Sequence, residues 1–546
     1  MSSQSDLLRP VIRPLVELKD LVAACDLTLY TGTSASGPSK PGLEGRTISG
    51  ITVSTQDVSE GDLFVALSGL RTHGAQFAAQ AIEQGARAVL TDHAGARILR
   101  ELDVLEDVII LLGPAEQDLR ATMARCASAI YADASKDIAI SGITGTNGKT
   151  TTAFFLDAIM RAAGEKTALL GTVEMRLGEK FVASTRTTVE APVLQGFFAR
   201  CVQEDVSHVT MEVSSHALAL HRVTGTHFDV VGFTNLQRDH LDFHHTMEEY
   251  FEAKAQLFTP QYAQRGVVVV DDTWGRTLAD NAAIPVTTVS TGLSDDPEFH
   301  ADWRASNVRL SESGTGLDFD LVHSDGHTIA SHSPLLGSVN VSNAALATLM
   351  AVEQNITVSD IVRGLRDLAV VPGRMEVVSE PGDPLVIVDY AHTTEALDFA
   401  VSSLRQTHHS NGVGRLIVVF GAAGERDATK RPHMGAAVFP YADVMIVTDD
   451  DPYSEDPVSI RNEVLAGVEI LDEYVALAPQ VRAEQVLNIA PREDAITHAI
   501  QLAGPQDTVL LAGRGHETIQ EIAGVKHHLD DRAFARNLLQ ARRLGS

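Results

Sequence analysis

A chain of 546 residues with 44% hydrophobic content is too long for one compact domain and too apolar to stay disordered, so two to four packed domains are expected. With 43 Lys and Arg against 72 Asp and Glu, the net charge of −29 excludes a nucleic-acid backbone or an anionic membrane as principal partner, though a small basic pocket for a phosphorylated ligand remains possible. Cys25, Cys126 and Cys201 are odd in number and far apart in sequence, which fits a reducing cytoplasm better than a disulfide framework. The start, MSSQSDLLRPVIRP, has no apolar core of a leader peptide, and no uncharged apolar run approaches the ~20 residues of a membrane helix. A soluble cytoplasmic protein, and a monomer, is expected.

In chain order, the first section spans 1–114. GDLFVAL (61–67) reads as a strand, FAAQAIEQGA as a helix, ARAVLTD as a strand, and VIILLGP (108–114) as strand and breaker. The second section, 115–370, opens with the helical pattern EQDLRATMARCASAIYA. DIAISGITGTNGKTTTAFFLDAIMRAAG follows as buried strand, glycine loop and amphipathic helix ending at Gly164. HVTMEV (208–213) and GVVVVDD (266–272) continue the alternation, and VVPGR (370–374) reads as a linker. The third section, 371–546, places strands at LVIVDY (385–390), RLIVVFG (415–421), DVMIVTD (443–449) and TVLLAG (508–513). Strands alternating with helices imply mainly parallel sheets covered on both faces. The expectation is an α/β protein of three domains: a first domain, a central P-loop mononucleotide-binding parallel sheet, and a C-terminal doubly wound, Rossmann-like domain. In such sheets ligands sit at the carboxyl ends of the strands, where DYAHT, GAAGERD, TDDDPY and GRGHE fall in the last section.

GITGTNGKTT (142–151) is the strongest local signal. Gly145 and Gly148 let backbone N–H groups approach phosphate oxygens, helped by Thr146 and Asn147 between them and by the following helix N-terminus. Lys149 can neutralise phosphate charge, and Thr150, with Thr151 beside it, can place a hydroxyl in a Mg²⁺ shell. The strict Walker spacing needs glycine where Ile143 stands. A plain glycine turn is the bland alternative, and an ATP site is the better reading.

GTNGKTT, MEVSSHAL (211–218), NLQRDHLDFH (235–244), YFEAKAQLF (250–258), Asn340 with VSN (341–343), PGRME (372–376), DYAHT (389–393), GERDATKRPHMG (424–435) and GRGHE (513–517) stand in the order of the Mur ligases. The chain resembles that family over most of its length, and within it the members that add the third peptide residue of peptidoglycan precursors. The resemblance implies an ATP-dependent amide ligase acting through an acyl phosphate on UDP-N-acetylmuramoyl-L-alanyl-D-glutamate. It implies Lys149 at the phosphates; Thr150, Glu212, His240 and a CO₂-derived carbamate on Lys254 as Mg²⁺ ligands; and Asn343, Asp389 and His392 near the nucleotide. Arg426 is implied near the incoming amino acid and the reacting phosphate, with Lys430 in the same charged loop. Thr187, Thr188, Ser214 and Arg222 resemble contacts to the UDP-sugar dipeptide. Two departures stand out: Ser54, Thr55 and Gln56 lie where the family often has Asp-Ser-Arg, so only Ser54 and Thr55 are carried over, and Val189 replaces the usual Pro.

The acidic stretch TDDDPYSEDP (448–457) aligns with the loop that reads Asp-Asn-Pro-Arg in members adding meso-diaminopimelate. There a planar guanidinium can bind the distal carboxylate bidentately. Here the residues are Asp450, Asp451, Pro452 and Tyr453: tyrosine offers no positive charge, and Asp451 would repel that carboxylate. L-Lysine, or its shorter homologue L-ornithine, is therefore the expected amino acid, with Glu517 near its α-amino group and Gly513 in the same loop. Meso-diaminopimelate stays open as the alternative, because Arg426 and Arg514 remain as carboxylate binders. More remote alternatives are a folylpolyglutamate-synthase-like ligase and a P-loop ATPase. A solvated Asp-Pro turn is the bland reading of the loop.

Overall fold

A computed structural model describes residues 7–30, 42–69, 71–102, 108–184, 186–292, 300–312, 316–368, 370–409 and 412–545. The chain divides into two compact units, one of residues 1–304 with 323–327 and 345–364, the other of 305–322, 328–344 and 365–546.

The first unit carries two large sheets, besides a two-stranded antiparallel pair of Val16–Glu17 with Thr47–Ile48. One is built from β1 (Thr28–Leu29), β2 (Gly50–Thr52), β3 (Asp62–Ala66), β4 (Ala88–Thr91) and β5 (Ile109–Leu112), in the order β1-β5-β4-β3-β2. Strands β2 to β5 run parallel and only β1 is antiparallel. Every residue of β3, β4 and β5 is buried, as continuous apolar runs without alternation require when both faces are covered. The second sheet contains β6 (Ala139–Thr144), β7 (Thr167–Leu170), β8 (Glu174–Leu177), β9 (Lys180–Ala183), β10 (His208–Glu212), β11 (Phe228–Phe233), β12 (Ala263–Val269) and β13 (Val286–Ser290). Their order is β9-β8-β7-β10-β6-β11-β12-β13. Strand β6 lies between β10 and β11, parallel to both, so the loop after it opens at the carboxyl edge of the sheet's middle. The hairpin β8–β9 adds an antiparallel edge.

The second unit holds β14 (Glu376–Val377), β15 (Leu385–Asp389), β16 (Leu416–Phe420), β17 (Val444–Val447), β18 (Val486–Asn488) and β19 (Thr508–Ala512), ordered β14-β15-β19-β16-β17-β18. All but β14 are parallel. The last strand of the sheet inserts between β15 and β16, so the loops after β15, β16, β17 and β19 converge on one edge. A hairpin of β20 (Ile519–Ile522) and β21 (Val525–His528) follows. The fully buried Arg492 pairs with Asp531 at 2.7 Å and donates to Ala512 O at 2.9 Å and Asp449 O at 3.4 Å, tying the ends of β19 and β17 together. The α/β class, the parallel central sheet and the doubly wound last sheet are as the sequence predicts. Among the described residues no helix is long and apolar enough to cross a membrane.

Candidate active site

After β6 the chain turns through Gly145 at φ +146° and Gly148 at φ +88°, and helix α1 (Lys149–Ala162) begins. Both glycines are needed, because a side chain in this left-handed region is strained, and a Cβ on Gly145 would also strike Thr234 Oγ1. The loop is docked on residues 234–237: Thr146 N donates to Asn235 O at 2.9 Å, Asn147 N to Asn235 Oδ1 at 3.0 Å, and Asn147 Nδ2 to Gln237 Oε1 at 2.7 Å. Lys149 Nζ donates to Gly145 O at 3.0 Å and Thr146 O at 2.8 Å, folding its ammonium back over the loop. Thr150 and Thr151 are buried on the first turn of α1.

Glu212, the last residue of β10 and 1% exposed, is the hub of the next layer. It accepts from Thr150 Oγ1 at 2.9 Å, from Thr172 N at 2.8 Å and from Thr172 Oγ1 at 3.0 Å. These donors are all neutral. A buried carboxylate held by neutral donors retains a strong pull on a cation, so the set fits a divalent metal. Thr172 Oγ1, its proton committed to Glu212, accepts from Thr187 Oγ1 at 3.0 Å. Thr188 Oγ1 donates to Glu212 O at 2.9 Å and accepts from Ser214 N at 3.1 Å. Arg222 Nη1 donates to Thr188 O at 3.2 Å, and its Nε to Glu190 Oε1 at 3.0 Å. The residues expected at the phosphates and at the sugar dipeptide thus share one hydrogen-bonded layer. Ser54 lies apart from it, capping the short turn Thr55–Asp57 by accepting from Gln56 N at 3.2 Å.

Lys254 does not solvate a helix face, the ordinary fate of a lysine at such a position. It is 1% exposed on α2 (Met247–Ala255), donates to Gly145 O at 2.7 Å, and stands 4.6 Å from the Tyr250 ring centroid. Burial first, then the Lys149 charge, hold its amine well below the ordinary lysine range. His240, at φ +53°, packs edge-on against His216 at 4.8 Å. Burial lowers its basicity too, with the Lys149 and Lys254 charges adding to the effect.

In the second unit, Asp389 ends β15 and accepts from Ala391 N at 2.8 Å and Met375 N at 2.7 Å. Asn343 is buried and donates to Asn340 Oδ1 at 3.0 Å, while Lys430 Nζ donates to His392 O at 3.0 Å. Each acid of the loop after β17 has its own work. Asp449 pairs with Arg461. Asp450 Oδ1 accepts from Asp451 N at 2.8 Å. Asp451 takes the fully buried Arg514 at 2.8 Å and Glu521 N at 2.9 Å. Glu455 pairs with Arg431 at 2.9 Å, and Asp456 caps the helix Pro457–Glu469.

This corrects two steps of the sequence reading. Asp451 is not a spare repelling charge, because Arg514 balances it. Arg514 is not available as a ligand's partner, since it is enclosed and also donates to Ile519 O at 2.7 Å. Tyr453 itself carries no charge, as the sequence shows, and the guanidinium of Arg426, named there as a carboxylate binder, lies 6.0 Å from its ring centroid. Gly513, at φ +112°, gives close access: a Cβ there would sit 2.7 Å from Asp450 Oδ2. Asp450, Asp451 and Glu517 offer oxygens within 4.8 Å of one another. Burial first, then the Asp450 charge, raise the Glu517 carboxyl to about 7.

Three Mur ligase family descriptions match the chain in series: "Mur ligase family, catalytic domain" over residues 47–115, "Mur ligase middle domain" over 143–351, and "Mur ligase, glutamate ligase domain" over 373–515. The UDP-N-acetylmuramoyl-L-alanyl-D-glutamate–2,6-diaminopimelate ligase of Corynebacterium glutamicum is 42% identical over 510 residues, covering 93% of this chain and 94% of the relative. The chain belongs to the Mur ligase family.

A second relative of this Mur ligase, the UDP-N-acetylmuramyl-tripeptide synthetase of Leifsonia xyli, is 38% identical over 97% of the chain and 96% of its own length. A solved structure of a UDP-N-acetylmuramoyl-L-alanyl-D-glutamate–2,6-diaminopimelate ligase superposes with a TM-score of 0.64 at 28% identity, covering 97% of this chain and 99% of that one. The protein is an ATP-dependent ligase of this family, with the central nucleotide-binding and C-terminal doubly wound domains that the motifs predict. Sequence reasoning missed the wall behind the phosphate loop, Thr234 and Asn235, and the bridging Thr172. The NLQ run was visible, but nothing in it signals a backbone docking site. Thr172 lies outside every motif, and its role comes from the close approach of Gly171 to Glu212.

Proposed function

We propose that this Mur ligase joins an amino acid to UDP-N-acetylmuramoyl-L-alanyl-D-glutamate, forming the tripeptide precursor of peptidoglycan. The observation that carries the reading is the layer at Glu212, where Thr150 of the phosphate loop bonds the carboxylate and Thr188 of the proposed dipeptide site bonds the backbone carbonyl of the same residue. The D-glutamyl carboxylate attacks the γ-phosphorus of ATP, releasing ADP and leaving an acyl phosphate; the amine then attacks the acyl carbon and inorganic phosphate leaves. Lys149 offsets the phosphate charge, and the loop N–H groups and the α1 N-terminus orient it. Arg222 and the hydroxyls of Thr187, Thr188 and Ser214 hold the dipeptide, with Ser54 and Thr55 toward the uridine. Thr150, Glu212, His240 and Lys254 as carbamate would hold Mg²⁺, which when bound neutralises phosphate charge. Asn343, Asp389 and His392 serve the nucleotide. Arg426, Asp450, Asp451, Tyr453, Gly513 and Glu517 serve the amino acid. The corresponding domains are 1–114, 115–370 and 371–546, and the enzyme works as a cytoplasmic monomer, its three free buried thiols suiting a reducing compartment. Phosphate release that needs both the dipeptide nucleotide and an amino acid supports this; release without the amino acid overturns it.

Meso-diaminopimelate is the amino acid supported by the names of the Corynebacterium glutamicum relative and the solved ligase. Arg426 beside Tyr453 supplies a guanidinium for its distal carboxylate. A second reading, L-lysine or L-ornithine, is favoured by Tyr453 itself, which carries no charge, and by the excess of carboxylates around Arg514. Competition between diaminopimelate and lysine, read as kcat/KM, separates the two. Preference for diaminopimelate is expected, and Tyr453→Arg should raise it about tenfold more, one bidentate guanidinium–carboxylate contact. Preference of the wild type for lysine selects the second reading.

Glu517 gives this site a pH dependence. Its carboxylate, the form that can hold an ammonium, is populated above about 7. The KM for the amino acid should rise as pH falls through that value, approaching about tenfold per unit. Glu517→Gln should flatten the dependence; an unchanged acid limb would assign it elsewhere.

A further inference from the structure

We propose that Glu425, Ser454, Glu455 and Arg431 form a clamp that positions Arg426 for the carboxylate of the incoming amino acid. The inference rests on reading these loops as the amino-acid site. The loop after β16 and the loop after β17 are joined by reciprocal contacts. Gly424 N donates to Asp451 O at 2.8 Å. Ser454 N donates to Glu425 Oε1 at 3.1 Å, and Ser454 Oγ bonds the same oxygen. In return Glu425 N bonds Glu455 Oε1. That carboxylate is itself fixed by Arg431, whose Nη2 lies 3.0 Å from Glu455 Oε1 and 2.9 Å from Oε2. The Arg431 side chain is only 2% exposed, so the far end of the clamp is rooted in the core.

The backbone shows what the contacts hold. Glu425 and Tyr453 both stand at φ +51°, in the left-handed region that ordinary side chains avoid. Such residues persist where surrounding contacts over-determine them. Here the two face each other across the clamp. No side chain fits at Gly424, where a Cβ would strike Pro452 O, so the two backbones meet directly. The next residue is Arg426, whose guanidinium is thereby set over the Tyr453 ring at 6.0 Å. Tyr453 therefore takes by docking the cation it does not carry. A guanidinium held in advance loses little freedom on binding a carboxylate, and an unclamped arginine loses much more.

Glu425→Ala deletes both acceptor contacts from Ser454, whereas Glu425→Gln keeps an Oε1 acceptor. Steady-state kinetics use whichever of diaminopimelate and lysine the wild type prefers. Glu425→Ala is expected to raise the KM for the amino acid roughly tenfold, with the KM for ATP and for the dipeptide nucleotide within about twofold, and Glu425→Gln to stay close to wild type. Hydrogen exchange should show faster exchange at the Glu425 and Ser454 amides in Glu425→Ala and nowhere else. Faster exchange with an unchanged amino-acid KM, or equal rises in all three KM values, overturns the proposal. If Glu425→Ala does not fold, Ser454→Ala carries the test with an expected rise of about threefold in the same KM. A wild type that ligates neither amino acid defeats the functional reading; the exchange comparison then still decides whether the clamp exists.

Discussion

Lys149→Ala is expected to lower kcat by about a thousandfold, ~4 kcal/mol of transition-state stabilisation, with a smaller change in the KM for ATP. In phosphoryl transfer there is little covalent work for the protein, so the barrier is set by charge placement around the phosphoryl group. Lys149 begins α1 beside Gly148, and its ammonium lies over Gly145 O and Thr146 O, on the loop that receives the phosphates. Removing it leaves the backbone N–H groups and the helix N-terminus, which bind phosphate without a full positive charge. Single-turnover phosphate release separates this loss from weakened binding. A loss confined to the KM for ATP would mean that Lys149 binds the nucleotide equally before and during the reaction.

The second large effect concerns Lys254. CO₂ combines only with a neutral amine, and an ordinary lysine is protonated at neutral pH. Burial and the nearby Lys149 hold the Lys254 amine well below that range, so its neutral form is available where an exposed lysine's is not. Carbamate content should therefore rise with pH from the depressed value upward and vanish on acidification, read by native mass spectrometry as one bound CO₂. Lys254→Ala and Lys254→Arg should each lower kcat by about a thousandfold, arginine because its guanidinium stays charged and forms no carbamate. The Gly145 O contact provides the control: arginine can still donate to that carbonyl. Near-normal activity of Lys254→Arg would make Lys254 a strut for the phosphate loop and end its role as a carbamate.

Much of this was legible without coordinates. GITGTNGKTT announces its own geometry, because two glycines followed by Lys-Thr-Thr between an apolar run and an amphipathic run leave few folds open. The strands of the last sheet were legible for the same reason: LVIVDY, RLIVVFG, DVMIVTD and TVLLAG are uninterrupted apolar runs that only a sheet covered on both faces can bury. The acidic loop was legible only in part. Its place at a strand end follows from chain order, but its charge balance does not. Arg514 lies 63 residues from Asp451, and Arg461, Arg431 and Arg492 come from three different helices.

Local order in the chain thus determined the class of sheet, the phosphate loop and the family, because backbone period and glycine placement act between neighbours. Tertiary structure alone decided what the charges do. A carboxylate repels, pairs or binds according to which cation folding brings within a few ångströms, and burial sets how strongly that pairing counts. That is why TDDDPYSEDP reads in sequence as surplus negative charge, yet in the fold holds Arg426 against Tyr453.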